Sequence, residues 1–348
     1  MNINLYIEGG NSMSEYNKKD RVTIYEVAKV AGVSLATVSR VINNHQNVTE
    51  KTRLMVNEAI EKLGYKPSAL AQGLANSRST NVGIMIPSTG YSYVSNMLDG
   101  MIDVAKIYGY ITSIFITKRT KEDADQMINH LIKSHVDGAV IFDDELGTDE
   151  IRTIQKYHIP LIIIGHELSG DDLGSIILEY KEPFLSVLKQ DISKDKTMPV
   201  FILDVVNEGV MIDELRDAAL EFTKKKGNPV ELLSFNDSYS IVYNGMLEFF
   251  KTHKRGYFIA PRDSLAAAIV NAATDSGLRV PDDVQVIACI GNKYSYIARP
   301  TISSFYLDMF KTGSIAMRML TKLLSNEDSL KQKTMTMSAI YNKRSSTK

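Results

Sequence analysis

The sequence predicts an α/β protein in which a small all-α headpiece precedes a core of two doubly wound parallel-sheet lobes. Two observations lead to this prediction. Residues 24–64 place apolar side chains at helical spacing, interrupted by a short turn at Gly32. After Thr80, continuous apolar runs alternate with amphipathic stretches, a pattern typical of parallel strands that helices cover on both faces.

The 348 residues suffice for two or three domains. Residues 1–12 show no periodicity, and we predict that residues 1–20 form a disordered N-terminal extension. Codons for Glu8-Gly9-Gly10 readily spell a purine-rich ribosome-binding sequence shortly before Met13, so our hypothesis is that translation naturally starts at Met13. The other predicted parts are a headpiece (21–64), a hinge helix and linker (65–80), and a core (81–348) with a first lobe at about 81–178 and 307–335 and a second at about 179–306 and 336–348.

A helix-turn-helix is predicted for residues 24–43. Gly32 supplies the positive φ of a tight turn, and Ser34 is a residue type that caps the N-terminus of a helix. Because several constraints of this motif are met within about twenty residues, an ordinary helical hairpin is the less favoured alternative. The side chains predicted to face inward are Ile24, Val27, Ala28, Ala31, Val33, Val38, Val41 and Ile42.

A third helix is predicted from about Thr49 to Gly64, with Leu54, Ile60 and Leu63 facing inward. The segment after Pro67 is too short and too rich in small residues to be stable as an isolated helix. A helix of this marginal kind can become ordered when it docks against a partner. A plain linker is the alternative interpretation.

Alternating strands and helices are predicted throughout the core. Its predicted strands cover residues 82–86, 111–116, 138–142, 161–164, 200–203, 231–235, 257–259, 284–290 and 302–306. Its predicted helices cover residues 94–108, 123–134, 213–226, 239–252, 263–277 and 309–324.

Composition and charge exclude several classes of protein. Residues 21–78 carry eight Lys or Arg against four Asp or Glu, whereas the whole chain has a net charge of −1, and this asymmetry suits a phosphate-facing module. The single cysteine, Cys289, excludes a disulfide framework and fits a reducing, cytoplasmic compartment. No apolar run approaches the roughly 20 residues of a membrane span. Phosphate loops, metal-ligand clusters and nucleophile elbows are missing, so we expect no enzyme, cofactor or metal site.

Several motifs carry a resemblance to a known family. They are the run Val22-Thr23-Ile24-Tyr25-Glu26-Val27-Ala28, then Val33-Ser34, Ala36-Thr37-Val38-Ser39-Arg40-Val41 and Leu63-Gly64-Tyr65-Lys66-Pro67. With these motifs the chain resembles the LacI/GalR family of bacterial repressors, and Thr23-Ile24-Tyr25 is most like the catabolite-control branch. The resemblance covers residues 21–348. It implies a periplasmic-binding-protein-like core and a homodimer that represses carbohydrate or catabolite genes from a palindromic operator in double-stranded DNA.

Contacts to DNA follow from placing the second helix in the major groove. Leu35 and Ala36 offer apolar surface to thymine methyl groups, and Arg40 can pair bidentately with guanine. In the family, the matching residues of the hinge enter the minor groove, where Leu74 corresponds to a leucine wedge that kinks the duplex. The candidates for phosphate contact are Thr23, Tyr25, Ser34, Thr37, Ser39 and Asn43.

The resemblance also implies an effector cleft between the lobes, at the carboxyl ends of the strands. Sugar-binding members begin this cleft with Pro-Asp, where this chain has Pro87-Ser88, and their Gly-Phe-Asp segment falls on Ala288-Cys289-Ile290. Because isoleucine can neither donate nor accept a hydrogen bond, this change argues against an ordinary monosaccharide. A sugar, another small molecule and no ligand at all stay open as alternatives. The cleft candidates are Ser88, Tyr91, His166, Arg262 and Asp263.

A protein corepressor is the other route of control that the resemblance implies. In the catabolite-control branch, the serine-phosphorylated carrier protein HPr binds near the last long helix, and Arg318 matches the arginine that meets its phosphate. Phe310-Lys311, however, stands where that branch has Tyr-Asp. A solvated helix residue is the alternative interpretation of Arg318.

Overall fold

The computed structural model contains two compact units, one holding the N-terminal helices and the other the rest of the described chain. It describes residues 22–43, 45–66, 80–118, 120–142, 146–165, 167–168, 170–193, 195–206, 209–325 and 333–348. The predicted extension over residues 1–20 and the start at Met13 lie outside the described residues and stay predictions. The two units are described separately below.

Among the described residues of the first unit there are three helices: α1 (Ile24–Ala31), α2 (Leu35–Ile42) and α3 (Glu50–Leu63). Each begins after a capping residue. The side-chain oxygens of Ser34 and Thr49 accept hydrogen bonds from backbone amides at the starts of α2 and α3, which satisfies donors that the first helical turn leaves unpaired. Gly32 ends α1 in the left-handed conformation, at φ 66°. The buried side chains at the centre of the unit are Val27, Ala31, Val38, Val41, Val56 and Ala59.

Leu54 corrects one sequence-based expectation, because it is 57% exposed rather than inward-facing. The residues of α3 that pack inward are Val56, Ala59, Ile60 and Leu63. These four residues follow the i, i+3, i+4, i+7 spacing of one helix face, and Leu54 is out of phase with them. This periodicity can be read from the sequence, but the prediction gave more weight to the large apolar side chain of Leu54.

The first lobe of the core is a six-stranded parallel sheet in the order β11-β5-β4-β3-β1-β2. Its strands are β1 (Asn81–Ile86), β2 (Ile111–Ile116), β3 (Gly138–Ile141), β4 (Leu161–Ile164), β5 (Leu173–Glu179) and β11 (Thr334–Ser338). Its helices are α4 (Ser92–Ile107), α5 (Lys121–Lys133), α6 (Thr148–Gln155) and α12 (Met309–Leu324). Ile84 and Met85 of β1 pack into different apolar clusters, so the sheet is covered on both faces.

The second lobe has a six-stranded sheet in the order β12-β10-β9-β8-β6-β7, parallel except for the last pair, β10 with β12. Its strands are β6 (Val200–Val205), β7 (Val230–Phe235), β8 (Gly256–Arg262), β9 (Val284–Ile290), β10 (Ser303–Tyr306) and β12 (Ile340–Asn342). Its helices are α7 (Lys181–Ile192), α8 (Val210–Lys226), α9 (Tyr239–Thr252), α10 (Asp263–Asp275) and α11 (Lys293–Ile297). Tyr257 and Phe258 of β8 likewise pack into clusters on opposite faces.

Strand β5 was not predicted from the sequence. Gly174 and Ser175 interrupt its apolar run, yet both are buried. A methyl group at Gly174 would meet the side chain of Ile162, and the hydroxyl of Ser175 donates to the carbonyl of Leu168 over 2.7 Å. The glycine therefore makes room for a neighbouring strand, and the serine meets its polar requirement within the fold.

Helices α4 and α12 cross at two glycines, Gly100 and Gly313. A Cβ atom at Gly100 would overlap the carbonyl oxygen of Phe310, and one at Gly313 would overlap the carbonyl oxygen of Met97. The two backbones thus approach more closely than any side chain at these positions would allow. Ser314 reinforces the crossing by donating a hydrogen bond to the carbonyl of Gly100 over 3.3 Å.

We expect Gly313→Ala to lower the free energy of unfolding by about 1–3 kcal/mol, because backbone atoms cannot move aside as a flexible side chain can. Urea unfolding at one fixed protein concentration measures the effect. Lys322→Ala is the matched control, since Lys322 is exposed on the same helix. Equal midpoints for the two variants would show that the crossing tolerates a methyl group.

Candidate nucleic-acid interface and effector cleft

The turn between α1 and α2 fixes the orientation of the second helix. The backbone amide of Val33 donates to the carbonyl of Ala28 over 3.1 Å, which closes the turn around Gly32. Ser34 Oγ accepts from the amide of Thr37 over 3.2 Å and lies 2.9 Å from the Thr37 hydroxyl oxygen. The start of α2 is therefore held by local hydrogen bonds as well as by its buried face.

The two faces of α2 differ completely. Val38 and Val41 are buried in the helical unit, whereas Leu35, Ala36 and Arg40 are exposed. Ala36 and Arg40 lie four positions apart and so share one side of the helix. The guanidinium of Arg40 makes no hydrogen bond or ion pair within the described chain. The structure thus brings the three predicted base-contact residues together on a free surface.

The predicted phosphate-contact residues border the same surface. Thr23 and Tyr25 lie at the start of α1, where the Glu26 carboxylate accepts from the amide of Thr23 over 2.7 Å. Tyr25 is 70% exposed. Asn43 ends α2 and donates from its side chain to the hydroxyl of Ser39 over 3.4 Å.

Leu74 and His166 lie outside the described residues. The same holds for residues 67–79 of the predicted hinge. Their predicted roles in the minor groove and the effector cleft therefore stay predictions.

A cavity of about 520 Å³ opens between the two lobes. Ser88 and Tyr91 contribute from the first lobe, and Arg262 and Asp263 contribute from the second, so four of the five predicted cleft residues meet here. Lys293 adds a further positive charge, and Asp237 a further negative one. The other lining residues are Gly90, Ser92, Tyr93, Ser264, Ile290, Asn292 and Tyr294.

The carboxylate of Asp263 is hydrogen-bonded to other residues of the protein. Its Oδ2 atom accepts from the backbone amides of Asn292 over 2.6 Å and Ser295 over 3.0 Å, and from the Ser295 hydroxyl over 3.2 Å. Burial raises the pKa of the Asp263 carboxyl, and these hydrogen bonds act in the opposite direction. The carboxylate thus caps the start of α11, whose first residues form one wall of the cavity.

Arg262 is also engaged within the protein. Its guanidinium forms an ion pair with Asp237, and its Nε donates to the Ser264 hydroxyl over 3.2 Å. Although Arg262 lines the cavity, it is only 8% exposed. Any ligand that used this arginine would compete with an existing carboxylate partner.

Comparisons with known proteins agree with this architecture. A family profile described as "Bacterial regulatory proteins, lacI family" matches residues 23–68, and one described as "Periplasmic binding protein-like domain" matches residues 200–347. Catabolite control protein A of Staphylococcus xylosus is 31% identical over 310 residues, which cover 88% of this chain and 94% of that protein. The chain belongs to the LacI family of bacterial regulatory proteins.

Two further comparisons agree with this result, the first in sequence and the second in fold. The HTH-type transcriptional regulator pepR1 of Lactobacillus delbrueckii subsp. lactis is 32% identical over 322 residues, covering 91% of this chain and 95% of that protein. A crystal structure of the lac repressor dimer bound to operator and the anti-inducer ONPF superposes with a TM-score of 0.77 at 21% identity, covering 94% of this chain and 99% of that one.

The predicted family, its catabolite-control likeness and the α/β architecture are therefore confirmed. This LacI-family chain is a DNA-binding transcriptional regulator, and the relatives that it matches are regulators rather than enzymes. In the part of the chain that the structure describes, no helix is long and apolar enough to cross a membrane. The same residues contain no cluster of three His, Cys, Asp or Glu side chains that could hold a metal ion.

Arg318, the predicted corepressor contact of this LacI-family core, lies on the exposed side of α12. Its guanidinium has no ion-pair partner among the described residues. Phe310 begins the same helix and is 45% exposed. Both residues are accessible to a partner in this unit.

Sequence reasoning missed Asp237 and Asn292 as cleft residues, and it missed Ser295 as a hydrogen-bond partner of Asp263. Asp237 follows β7 within the polar run Asn236-Asp237-Ser238, so it stands at the carboxyl end of a parallel strand, where ligand sites of α/β sheets form. That position was a usable signal. Asn292 and Ser295 contribute backbone amides to Asp263, and no pattern of residue types marks an amide donor.

Proposed function

We propose that this LacI-family regulator is a repressor of carbohydrate or other catabolite genes that binds a palindromic operator as a homodimer. One observation carries the proposal: α2 buries Val38 and Val41 while it presents Leu35, Ala36 and Arg40 without partners in the described chain. A short helix with this division fits the major groove. Because the DNA lies in the cytoplasm of a bacterium, we place the protein there.

Within this proposal, Arg40 reads a guanine, and Leu35 and Ala36 contact thymine methyl groups. The phosphate candidates, namely Thr23, Tyr25, Ser34, Thr37, Ser39 and Asn43, fix the register of the helix on the duplex. Leu74 acts as the minor-groove wedge, and it bends the operator at its centre.

Exposed apolar side chains on two edge strands support the homodimer. Strand β2 exposes Ile111, Ile114 and Ile116, and strand β7 exposes Leu232, at the corresponding outer edges of the two sheets. Edge strands of monomeric proteins are usually protected by charge or by a covering element, so bare isoleucines point to a partner surface. A two-fold operator requires a two-fold protein, and a second copy supplies it.

Two routes of control follow from the core. A small-molecule effector would enter the interlobe cavity and contact Ser88, Tyr91, His166, Arg262 or Asp263. Serine-phosphorylated HPr would bind the outer face, where exposed Arg318 offers a charge-assisted partner to its phosphate. The relatives named catabolite control protein A support control of catabolite genes. Where the resemblance to that branch implies Tyr-Asp, this chain has Phe310-Lys311, which weighs against the HPr route.

Fluorescence anisotropy tests the proposal. The purified full chain is titrated onto a palindromic duplex with a central CG step and onto a scrambled duplex at one fixed salt concentration, with and without serine-phosphorylated HPr. Preference for the palindrome without HPr supports a repressor that needs no protein corepressor, and preference only with HPr supports control by the phosphoprotein. Equal affinity for both duplexes in both conditions would contradict the proposed operator.

A further inference from the structure

Three side chains join the two lobes across the mouth of the interlobe cavity. Tyr91 precedes α4 in the first lobe, whereas Asp237 follows β7 and Arg262 ends β8 in the second. The Tyr91 hydroxyl donates to Asp237 Oδ2 over 2.8 Å, and the Arg262 guanidinium lies 4.9 Å from the centroid of the Tyr91 ring. Since Arg262 also forms the ion pair with Asp237, each of the three residues contacts the other two.

The ion pair within this group is largely withdrawn from water. The Arg262 side chain is 10% exposed and the Asp237 side chain 30%. A buried guanidinium is costly without a carboxylate partner, so this pair is held firmly. Because both members belong to the second lobe, the pair does not itself bridge the lobes; it fixes Asp237 and Arg262 in the positions from which they contact Tyr91 of the first lobe. The cation over the tyrosine ring adds an attraction that strengthens as water is excluded.

On the first lobe, Tyr91 is held in place by its neighbours. Its ring stacks on that of Tyr93, with centroids 5.7 Å apart and planes inclined by 20°. Ser95 donates from its hydroxyl to the carbonyl of Tyr91 over 3.3 Å and to that of Thr89 over 3.0 Å. Tyr93 is itself buried, so Tyr91 packs against the interior of the first lobe rather than against an exposed loop.

Tyr91, Asp237 and Arg262 lie on the opposite side of the sheets from the points where the chain crosses between the lobes. The chain passes between the lobes at residues 179–181, 306–309 and 338–340, next to strands β5, β10, β11 and β12. In each sheet these strands lie at one edge, and β1, β6 and β7 lie toward the other. The two contacts that Tyr91 makes with Asp237 and Arg262 therefore lie far from the crossovers about which the lobes would hinge. At that distance a given opening angle produces a large separation.

We propose that Tyr91, Asp237 and Arg262 form an interlobe latch that keeps the cavity closed when it holds no ligand. The idea deepens the proposed function, on which it rests for its regulatory meaning, because it names how the cleft is controlled. Closure in such cores ordinarily needs contacts that a ligand supplies to both lobes. Here the protein supplies them itself, and a ligand that requires Arg262 must first displace Asp237.

The test measures the separation of the lobes in the full chain. Spin labels are placed on cysteines introduced by Lys133→Cys on α5 and Lys251→Cys on α9, both exposed, while Cys289 is buried. Labelled chain is mixed with a tenfold excess of unlabelled chain, so that each labelled protomer has an unlabelled partner. Double electron–electron resonance then gives the distance distribution without DNA or ligand.

We expect Asp237→Asn to lengthen the mean distance and broaden the distribution, since it weakens the acceptor of the Tyr91 hydroxyl and removes the charge that holds Arg262 against the Tyr91 ring. Tyr91→Phe should act in the same direction but less strongly, because it removes one hydrogen bond and keeps the ring beside the guanidinium. It also leaves the ion pair intact, so it stays informative if Asp237→Asn unfolds the second lobe. Circular dichroism verifies that each variant is folded.

Matched controls come from a second Tyr–Asp pair, in which Tyr243 donates to Asp275 over 2.6 Å entirely within the second lobe. Tyr243→Phe and Asp275→Asn should leave the distribution unchanged. Folded latch variants with the unaltered distribution would overturn the proposal, as would controls that shift equally. Operator affinity is measured separately by anisotropy. A wild-type chain that binds the palindrome and the scrambled duplex equally would refute the proposed function, and the distances between the spin labels would still test the latch.

Discussion

Arg40→Ala is expected to remove nearly all preference for the palindrome over a scrambled duplex. A bidentate arginine–guanine pair contributes about 1–3 kcal/mol of discrimination, and a homodimer on a palindrome makes it twice. No other long donor side chain accompanies Arg40 on the exposed face of α2, where Leu35 and Ala36 offer only apolar contact. The lost discrimination therefore has no replacement nearby.

Anisotropy at several salt concentrations measures the effect of Arg40→Ala. Residual binding should be weak, equal on both duplexes and strongly salt-dependent, because phosphate contacts persist without the base contact. Lys62→Ala is the control, since it removes one positive charge from the exposed surface of α3. It should lower the affinity for both duplexes by the same factor or leave both affinities unchanged. An Arg40→Ala protein that keeps the wild-type ratio of affinities would remove this residue from base readout.

Asp263→Ala is expected to destabilise the second lobe by about 2–5 kcal/mol. The substitution leaves the amides of Asn292 and Ser295 without the carboxylate that both now share. Each buried donor that loses its partner costs about 1–3 kcal/mol. The Asn292 amide and the Ser295 hydroxyl lose their acceptor, whereas the Ser295 amide keeps the carbonyl of Asn292 over 3.0 Å. Urea unfolding followed by tyrosine fluorescence measures the change.

Asp283→Ala is the matched control for Asp263→Ala, because Asp283 also accepts from a backbone amide, that of Arg279. It makes this hydrogen bond, and its ion pair with the Arg279 side chain, at the exposed surface of the same lobe. Pairs of that kind contribute about 0–1 kcal/mol. If Asp263→Ala is as stable as Asp283→Ala, the hydrogen bonds of Asp263 do not hold the start of α11, and a ligand-binding role for its carboxylate becomes the better explanation.

The latch and the Asp263 cap together explain the chemistry of the cavity. Its two aspartates and its buried arginine are already committed to partners within the protein, whereas the side chain of Lys293 is exposed. A sugar needs fixed acceptors and donors that are free to meet adjacent hydroxyl groups. Together with Ile290, which can form no side-chain hydrogen bond, this arrangement argues against a monosaccharide effector.

Much of the helical unit could be predicted because its determinants are local. The turn at Gly32, the cap at Ser34 and the apolar spacing of α1 and α2 all lie within about twenty consecutive residues, and each constrains its neighbours directly. The exposure of Arg40 follows from the same periodicity, since Val38 and Val41 fix the buried side of the helix. The strands of the core were predicted equally well where their apolar runs were continuous, as in β1 and β9.

The family and those strands and helices with an uninterrupted apolar pattern were thus determined by the sequence itself, through local periodicity and short motifs. The tertiary structure alone decided what the cleft residues do. Tyr91 meets Asp237 across 146 positions, and Asp263 meets Ser295 across 32. The physical reason is that a carboxylate satisfies its hydrogen bonds with whichever donors the fold brings near, including backbone amides that every residue type carries. The resemblance to the LacI family predicted that Arg262 and Asp263 face the cleft, and only the tertiary structure shows that each already has a partner within the protein.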